Sequence, residues 1–384
     1  MNAALERRLA TSHVVVCVGS GGVGKTTTSS ILAMHGALQG RKVLVMTVDP
    51  ARRLANALGL EQLDEHIQRI DLSELGYTGP GELHATMLDM KRAMDDIVER
   101  FAPPESRAAI LENRFYAAFS TGLSGAQELS ASERLYQEAS TGHWDLIVLD
   151  TPPTVNALDF LDAPLRFHDA LDSAALGWVM EAGGVAARRG GGLLNMGTQL
   201  FTRVLGRFTG AEFFEELSRF LMHFSVLFEG FRDRTRATAE LFSDERTAFV
   251  IVTSPDPMTV VEALYFRGRL RELNVSLAGL VVNRVRSSLG SVLPEREFVT
   301  DELMKTEGAD MAGRPLVDRL SDKLLRNARE WNVLAARDHR VCSELVNEVR
   351  PAPVVQMPLY DTEVHSLEGL NAMRRALFDA AKVG

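Results

Sequence analysis

Val14-Val-Val-Cys-Val18 runs directly into Gly19-Ser-Gly-Gly-Val-Gly-Lys-Thr26, and Thr27-Thr-Ser-Ser-Ile-Leu-Ala33 follows. The apolar run predicts a buried strand. The stretch after it predicts a helix over 26–39, with Gly40 suited to its C-terminal end. Gly21, Gly22 and Gly24 lie between the two, with no Cβ to stop backbone N–H groups turning inward around phosphate oxygens. A helix N-terminus at the same point adds partial positive charge. Lys25 is placed to reach β- and γ-phosphates, and the Thr26 hydroxyl can ligate Mg²⁺. A glycine-rich turn with a chance lysine is the plain alternative. A strand before and a helix after favour a nucleotide-phosphate site that also includes Val23 and Thr27.

Further strands are predicted at 43–48, 83–87, 145–150, 248–253, 277–282 and 353–356, joining the first at 13–18. Helical patterns fall at 51–58, 89–101, 124–140, 257–273, 315–331 and 334–349. This alternation predicts an α/β fold with a mainly parallel central sheet flanked by helices, and the glycine-rich loop at 19–26 makes it the pattern of a P-loop NTPase. The rhythm breaks at 156–244, which holds helical pattern and Gly-rich joints but no convincing strand. Residues 1–155 and 245–384 are therefore read as the P-loop core, and 156–244 as a helical insert. Within the insert, 211–231 is the most periodic segment of the chain, carrying Phe213, Phe214, Leu217, Phe220, Leu221, Phe224, Leu227, Phe228 and Phe231. The stretch 285–314 reads as loop.

Two strands end in carboxylates. Asp145-Leu-Ile-Val-Leu-Asp150 brings Asp150 to the C-terminal edge of the sheet, where it can hold the Mg²⁺ shell through water. Alternatively, Asp150 caps a turn there. Lys42-Val-Leu-Val-Met-Thr-Val-Asp-Pro50 brings Asp49 to the same edge, beside any bound phosphate, in position to orient the attacking water. Asp49 can also cap the helix that starts at Pro50, and the two roles are compatible.

The formal net charge of −9 argues against nucleic acid as a partner. No apolar run approaches the ~18 residues that a membrane helix needs, so direct membrane insertion is not expected. Met1-Asn-Ala-Ala-Leu-Glu-Arg-Arg8 has no apolar segment after it, so no signal peptide is expected and a cytoplasmic location is. Cys17 and Cys342, the only two cysteines, make neither a disulfide framework nor a Cys-x-x-Cys site. Cys17, within a strand, is expected to be a small core residue.

The motifs at 19–27, Thr47-Val-Asp-Pro-Ala-Arg-Arg-Leu54, Asp150-Thr-Pro-Pro-Thr154 and Val281-Val-Asn-Arg-Val285 together resemble the ArsA/Get3 family. That family comprises arsenite-pump and tail-anchored-protein-targeting ATPases of the deviant-Walker-A class. The resemblance runs in motif order from about residue 12 to 375. It implies ATP and Mg²⁺ as ligands, with Gly21, Gly22, Gly24, Lys25, Thr26 and Thr27 as the phosphate loop. It further implies Asp49 as the switch-I aspartate that positions water, Asp150 as the opening of switch II, and Thr151 to Thr154 as the loop after it. Asn283 matches an adenine-reading asparagine, although an Asn after a strand is otherwise a turn former. Pro358-Leu-Tyr-Asp-Thr-Glu-Val364 matches the loop that closes over the base.

Departures from the family pattern are equally specific. Ser20 stands where the signature lysine of Lys-Gly-Gly-x-Gly-Lys belongs, a lysine that in relatives crosses to the phosphates of the neighbouring subunit. Arg52 or Arg53 could supply replacement charge. Val155-Asn156 stands where Gly-His is common. The Cys-x-x-Cys of a zinc clasp and the cysteine cluster of an arsenite pump are both missing from the sequence. By resemblance the insert would form a groove for an apolar protein client, although a stripe so rich in Phe more often faces its own core. Three functional classes follow: a targeting ATPase with an apolar client, the energising subunit of metalloid extrusion, and a regulatory or partitioning ATPase acting through protein partners. A homodimer sandwiching ATP is expected, or a heterodimer with a related ATPase that brings the lysine. The mildly amphipathic end, Leu370 to Lys382, is expected to be a packed terminal helix.

Overall fold

Complete burial explains why the first strand lies at the centre. All five residues of Val14–Val18 are between 0% and 3% exposed, a pattern that only a strand covered on both faces can show. The computed structural model describes residues 2–48, 53–122, 126–151, 228–306, 313–361 and 366–379. In chain order the described elements are α1 (Asn2–Thr11), β1 (Val14–Val18), α2 (Lys25–Leu38), β2 (Lys42–Thr47), α3 (Arg53–Ala57), β3 (Gln68–Ile70), β4 (Glu82–Met87), α4 (Met90–Phe101), α5 (Pro104–Leu111), α6 (Arg114–Gly122), α7 (Ala126–Ser140), β5 (Leu146–Asp150), α8 (Phe228–Ser243), β6 (Thr247–Thr253), α9 (Pro257–Glu272), β7 (Leu277–Val285), α10 (Arg296–Met304), α11 (Arg314–Glu348), β8 (Val354–Pro358) and α12 (Leu367–Phe378).

The strands form one sheet in the order β3-β4-β2-β5-β1-β6-β7-β8. Every pairing is parallel except that of the short edge strand β3 with β4. Alternate side chains feed two cores. Val15, Cys17 and Val250 pack with α1, α2 and α12, whereas Val14, Val16, Phe249 and Ile251 pack with α7, α8, α9 and α11. Each fully buried Val or Ile contributes about 1.5–3 kcal/mol through burial. The predicted α/β class and parallel sheet are therefore observed. Among the described residues no helix is long and apolar enough to cross a membrane.

Several elements differ from expectation. The stretch 285–314 contains α10, whose stability comes from tertiary packing and not from its own periodicity. Its Thr300 hydroxyl donates to the Ser321 hydroxyl at 2.9 Å, and Arg296 pairs with Asp322 at 2.6 Å. The two helices predicted at 315–331 and 334–349 are one, α11, 35 residues long. Its core-facing line includes Asp338, a charged residue that hides the periodicity. Asp338 is fully buried and accepts from Arg286 Nη1 at 2.9 Å and from the Arg286 backbone at 3.2 Å. The sequence reading also passed over α1, α5, α6 and β3.

Trp331 Nε1 donates to the Ser287 carbonyl at 2.8 Å, and Asn332 Nδ2 to that of Gly290 at 3.0 Å. Both acceptors lie just past the end of β7. The part of α11 before residue 331 therefore extends beyond the C-terminal edge of the sheet, where α10 packs against it. The proposed insert, 156–244, falls mostly outside the described residues, as do most of the Phe stripe and switch II beyond Thr151. Its last segment is α8, whose Phe242 packs edge-on against Phe249 of β6 at 6.1 Å between ring centres. The terminal helix is α12, packed into the core through Leu370, Met373 and Leu377.

Candidate functional site

The loop at 19–24 has its shape because glycine stands where no other residue fits. Gly22 and Gly24 have φ of +76° and +95°, in the left-handed region. A Cβ on Gly24 would collide with the Asn283 side-chain nitrogen, and one on Gly19 with the Val252 carbonyl. Gly21 and Gly22 form an exposed crest, while Val23 is buried in the core and anchors it. Gly24 is the N-cap of α2 and has no side chain to bond the first N–H groups of the helix. Those groups thus remain directed at the loop's concavity, the usual arrangement for an anion. Lys25, 6% exposed, donates from Nζ to the carbonyls of Gly19 and Ser20, both at 2.9 Å. Its charge is thereby fixed at the loop.

Asp150 ends β5, next to β1 and β2 in the sheet, and is fully buried. Its Oδ2 accepts from the Thr26 hydroxyl at 2.7 Å and the Thr47 hydroxyl at 2.9 Å. The Ser29 hydroxyl stands 3.5 Å from Oδ1. A buried carboxylate touching the phosphate-loop threonine offers hard oxygen donors of the kind Mg²⁺ requires, so Thr26 and Asp150 fit that ion. Thr47, Ser29 and Glu262 were not singled out from the sequence. Thr47 lies two residues before Asp49 and is paired in register with Asp150, a pairing that the local sequence does not show. Glu262, on α9, accepts a hydrogen bond from the Ser20 hydroxyl. Where the family carries a lysine, this chain therefore has a hydroxyl tied to a carboxylate.

Asn283, matched by resemblance to an adenine-reading asparagine, lies at the phosphate loop, where its amide is engaged. Nδ2 donates to the Val23 carbonyl at 2.9 Å, and Oδ1 accepts from the Arg284 backbone at 2.9 Å. To read a base, the carboxamide would have to release Val23. Arg284 adopts φ of +62°, and the β7–β8 register shifts between Val282 and Val285, which turns Asn283 toward the loop. Pro358 pairs with Val285 at the end of β8, three strands out from β1, or about 14 Å at ordinary strand spacing. Thr27 sits in the first turn of α2, and Arg53 begins α3. Asp49 and Arg52 lie outside the described residues.

Cys17 and Cys342 are both buried, on opposite faces of the sheet. Burial pushes the Cys17 thiol up to about 12 and the Cys342 thiol up to about 11. A raised thiol pKa keeps the unreactive protonated form at neutral pH. A disulfide-exchange dye at pH 8 should therefore titrate neither thiol in the native protein and both after denaturation. Rapid native reaction of either would contradict the packing described.

Among protein families, residues 12–289 match the one described as anion-transporting ATPase. Among curated proteins, the chain is similar to the ATPase GET3 of Rhodotorula glutinis, at 25% identity over 268 residues, 70% of this chain and 68% of that one. It is likewise similar to the ATPase ASNA1 homolog 2 of Paramecium tetraurelia, at 25% over 280 residues, 70% and 74% of the two chains. The match to the ATPase GET3 of Malassezia globosa is 29% identical over 157 residues and spans 41% of this chain and 44% of that relative, less than half of its length. The family match includes the phosphate loop, the buried Asp150 and the strands that carry them, and on that extent the chain belongs to the anion-transporting ATPase family.

Proposed function

We propose that the chain binds ATP with Mg²⁺, hydrolyses it, and uses the cycle as a conformational switch. The observation that carries this reading is the meeting of Lys25, Thr26 and Asp150 at the uncapped N-terminus of α2. The loop amides and Lys25 would bind the triphosphate and hold charge where it builds on the transferred phosphoryl group. Asp49, two residues past Thr47, would orient the attacking water. Thr26 and Asp150 would hold Mg²⁺, which when bound neutralises negative charge on the phosphate oxygens. Asp150 leads directly to Thr151, whose hydroxyl donates to the Cys17 carbonyl at 2.7 Å. A change at that bond would pass into 152–155 and then into the insert, the segment proposed to receive an apolar client in the cytoplasm. Regulation through another protein partner remains a rival reading. A metalloid pump is less favoured, because the two cysteines do not meet as soft ligands.

The working unit is proposed to be a dimer, of this chain or with a related ATPase. Met258, Val261 and Tyr265 are 71%, 65% and 59% exposed and share one face of α9, the helix whose Glu262 holds Ser20. An apolar face beside the phosphate loop suits apposition of a second subunit. Mass in solution, measured with ADP and with a non-hydrolysable ATP analogue, tests this. The parent should double in mass with the analogue alone, and Tyr265→Asp should remain a single chain with both. An unchanged parent mass, with or without an added related ATPase, would remove the dimer. Absence of Mg²⁺-dependent phosphate release would remove the ATPase.

A further inference from the structure

The part of α11 that extends past the sheet carries an outer face of a definite chemical kind. Leu316, Leu320 and Leu324 are 49%, 45% and 42% exposed. Spaced four apart, they form one row of about 12 Å along the helix. Arg319 and Lys323 form a parallel row beside it, extended by Arg326, and all three are exposed. None of these three makes an ion pair among the described residues. Of the nearby carboxylates, Asp322 pairs with Arg296 at 2.6 Å and Asp318 lies 3.9 Å from the same arginine, while Glu330, one turn past Arg326, is exposed. Arg296 of α10 thus faces both carboxylates on the acidic side of α11, and on the outer row Arg319, Lys323 and Arg326 outnumber Glu330. This occurs in a chain whose formal net charge is −9, so the patch runs against the whole.

We infer that this face is a docking surface for an amphipathic helix of a partner protein, with apolar residues at helical spacing and an acidic flank. The leucine row would receive the partner's apolar residues, and Arg319, Lys323 and Arg326 would meet its carboxylates. A row two turns long matches one helix laid across another. Adsorption to an anionic bilayer is disfavoured, because three leucines offer little area to insert and the net negative charge repels such a surface. The inference does not rest on the proposed nucleotide-site function.

Binding of short labelled helical peptides to the full chain, followed by fluorescence anisotropy, tests the inference. One peptide carries leucines at helical spacing flanked by glutamates, and the other has lysines in place of the glutamates. The acidic peptide should bind at least about ten-fold more tightly, and raised salt should weaken it. The variant Arg319→Glu/Lys323→Glu should reverse the preference, and Leu320→Asp should abolish binding of both. All three positions are exposed, so circular dichroism should show these variants folded. Lys323→Glu alone, which should narrow the preference, provides a milder check. Equal binding of the two peptides, or binding of neither, would overturn the inference. So would co-sedimentation with phosphatidylglycerol vesicles without peptide binding.

Discussion

Lys25→Ala should lower steady-state ATP turnover by roughly 10²–10³-fold, the scale seen when one group that stabilises developing charge is removed. The physical basis is the position of the ammonium. Two of its three donors reach the Gly19 and Ser20 carbonyls, so the cation is fixed at the loop before any ligand arrives. Alanine would leave those two carbonyls without their donor as well as removing the charge. Phosphate release at saturating nucleotide measures the first effect, and binding of a fluorescent ATP analogue separates affinity from chemistry. Lys25→Arg should not rescue turnover, because a planar guanidinium cannot replace a compact ammonium between two carbonyls. Turnover within two-fold of the parent would mean that hydrolysis, if present, occurs elsewhere.

Asp150→Asn should produce a comparable loss, roughly 10²–10³-fold, with the fold largely unchanged. The carboxamide is nearly isosteric. Its oxygen can face Thr26 and Thr47, which donate at 2.7 and 2.9 Å to the present carboxylate, while its NH₂ turns toward Ser29. Little hydrogen bonding is then lost, so the unfolding midpoint should stay close to that of the parent. What disappears is the negative charge that would hold Mg²⁺. The diagnostic readout is therefore a rise in the Mg²⁺ concentration needed for half-maximal turnover, measured alongside thermal unfolding. Asp150→Ala differs in kind. It leaves the Thr26 and Thr47 hydroxyls without their acceptor, at a cost of about 1–3 kcal/mol each. A large activity loss in Asp150→Asn with unchanged Mg²⁺ dependence would assign Asp150 to structure alone.

The two residues in these predictions were legible from the sequence because their positions are fixed by local rules. A buried strand must end somewhere, and a glycine-rich turn or a carboxylate at that end is visible in one dimension. Cys17, read as core, was legible for the same reason. The partners of Asp150 were less so. Thr47 comes from a strand two places from β1 in the sheet, and only the pairing register brings it to Asp150. Glu262 and Ser20 are 242 residues apart, and nothing in either local pattern connects them. The bond of Asn283 to Val23 depends on the register shift at Val282–Val285, which no periodicity announces. The single helix α11 spans the gap between the patterns at 315–331 and 334–349, where Trp331 and Asn332 interrupt the apolar periodicity. In the fold they are a seam, bonded to the loop after β7.

That seam gives α11 the character of a lever. Below it, Ala335, Cys342 and Leu345 bind the helix to the sheet; above it runs about 25 Å of the same rod, against which α10 packs among the described residues. A pivot of some 10° about Trp331 would carry the tip at Arg314 roughly 4 Å sideways. Movement of the β7 end, where Asn283 touches the phosphate loop, would thus be amplified at a point remote from it.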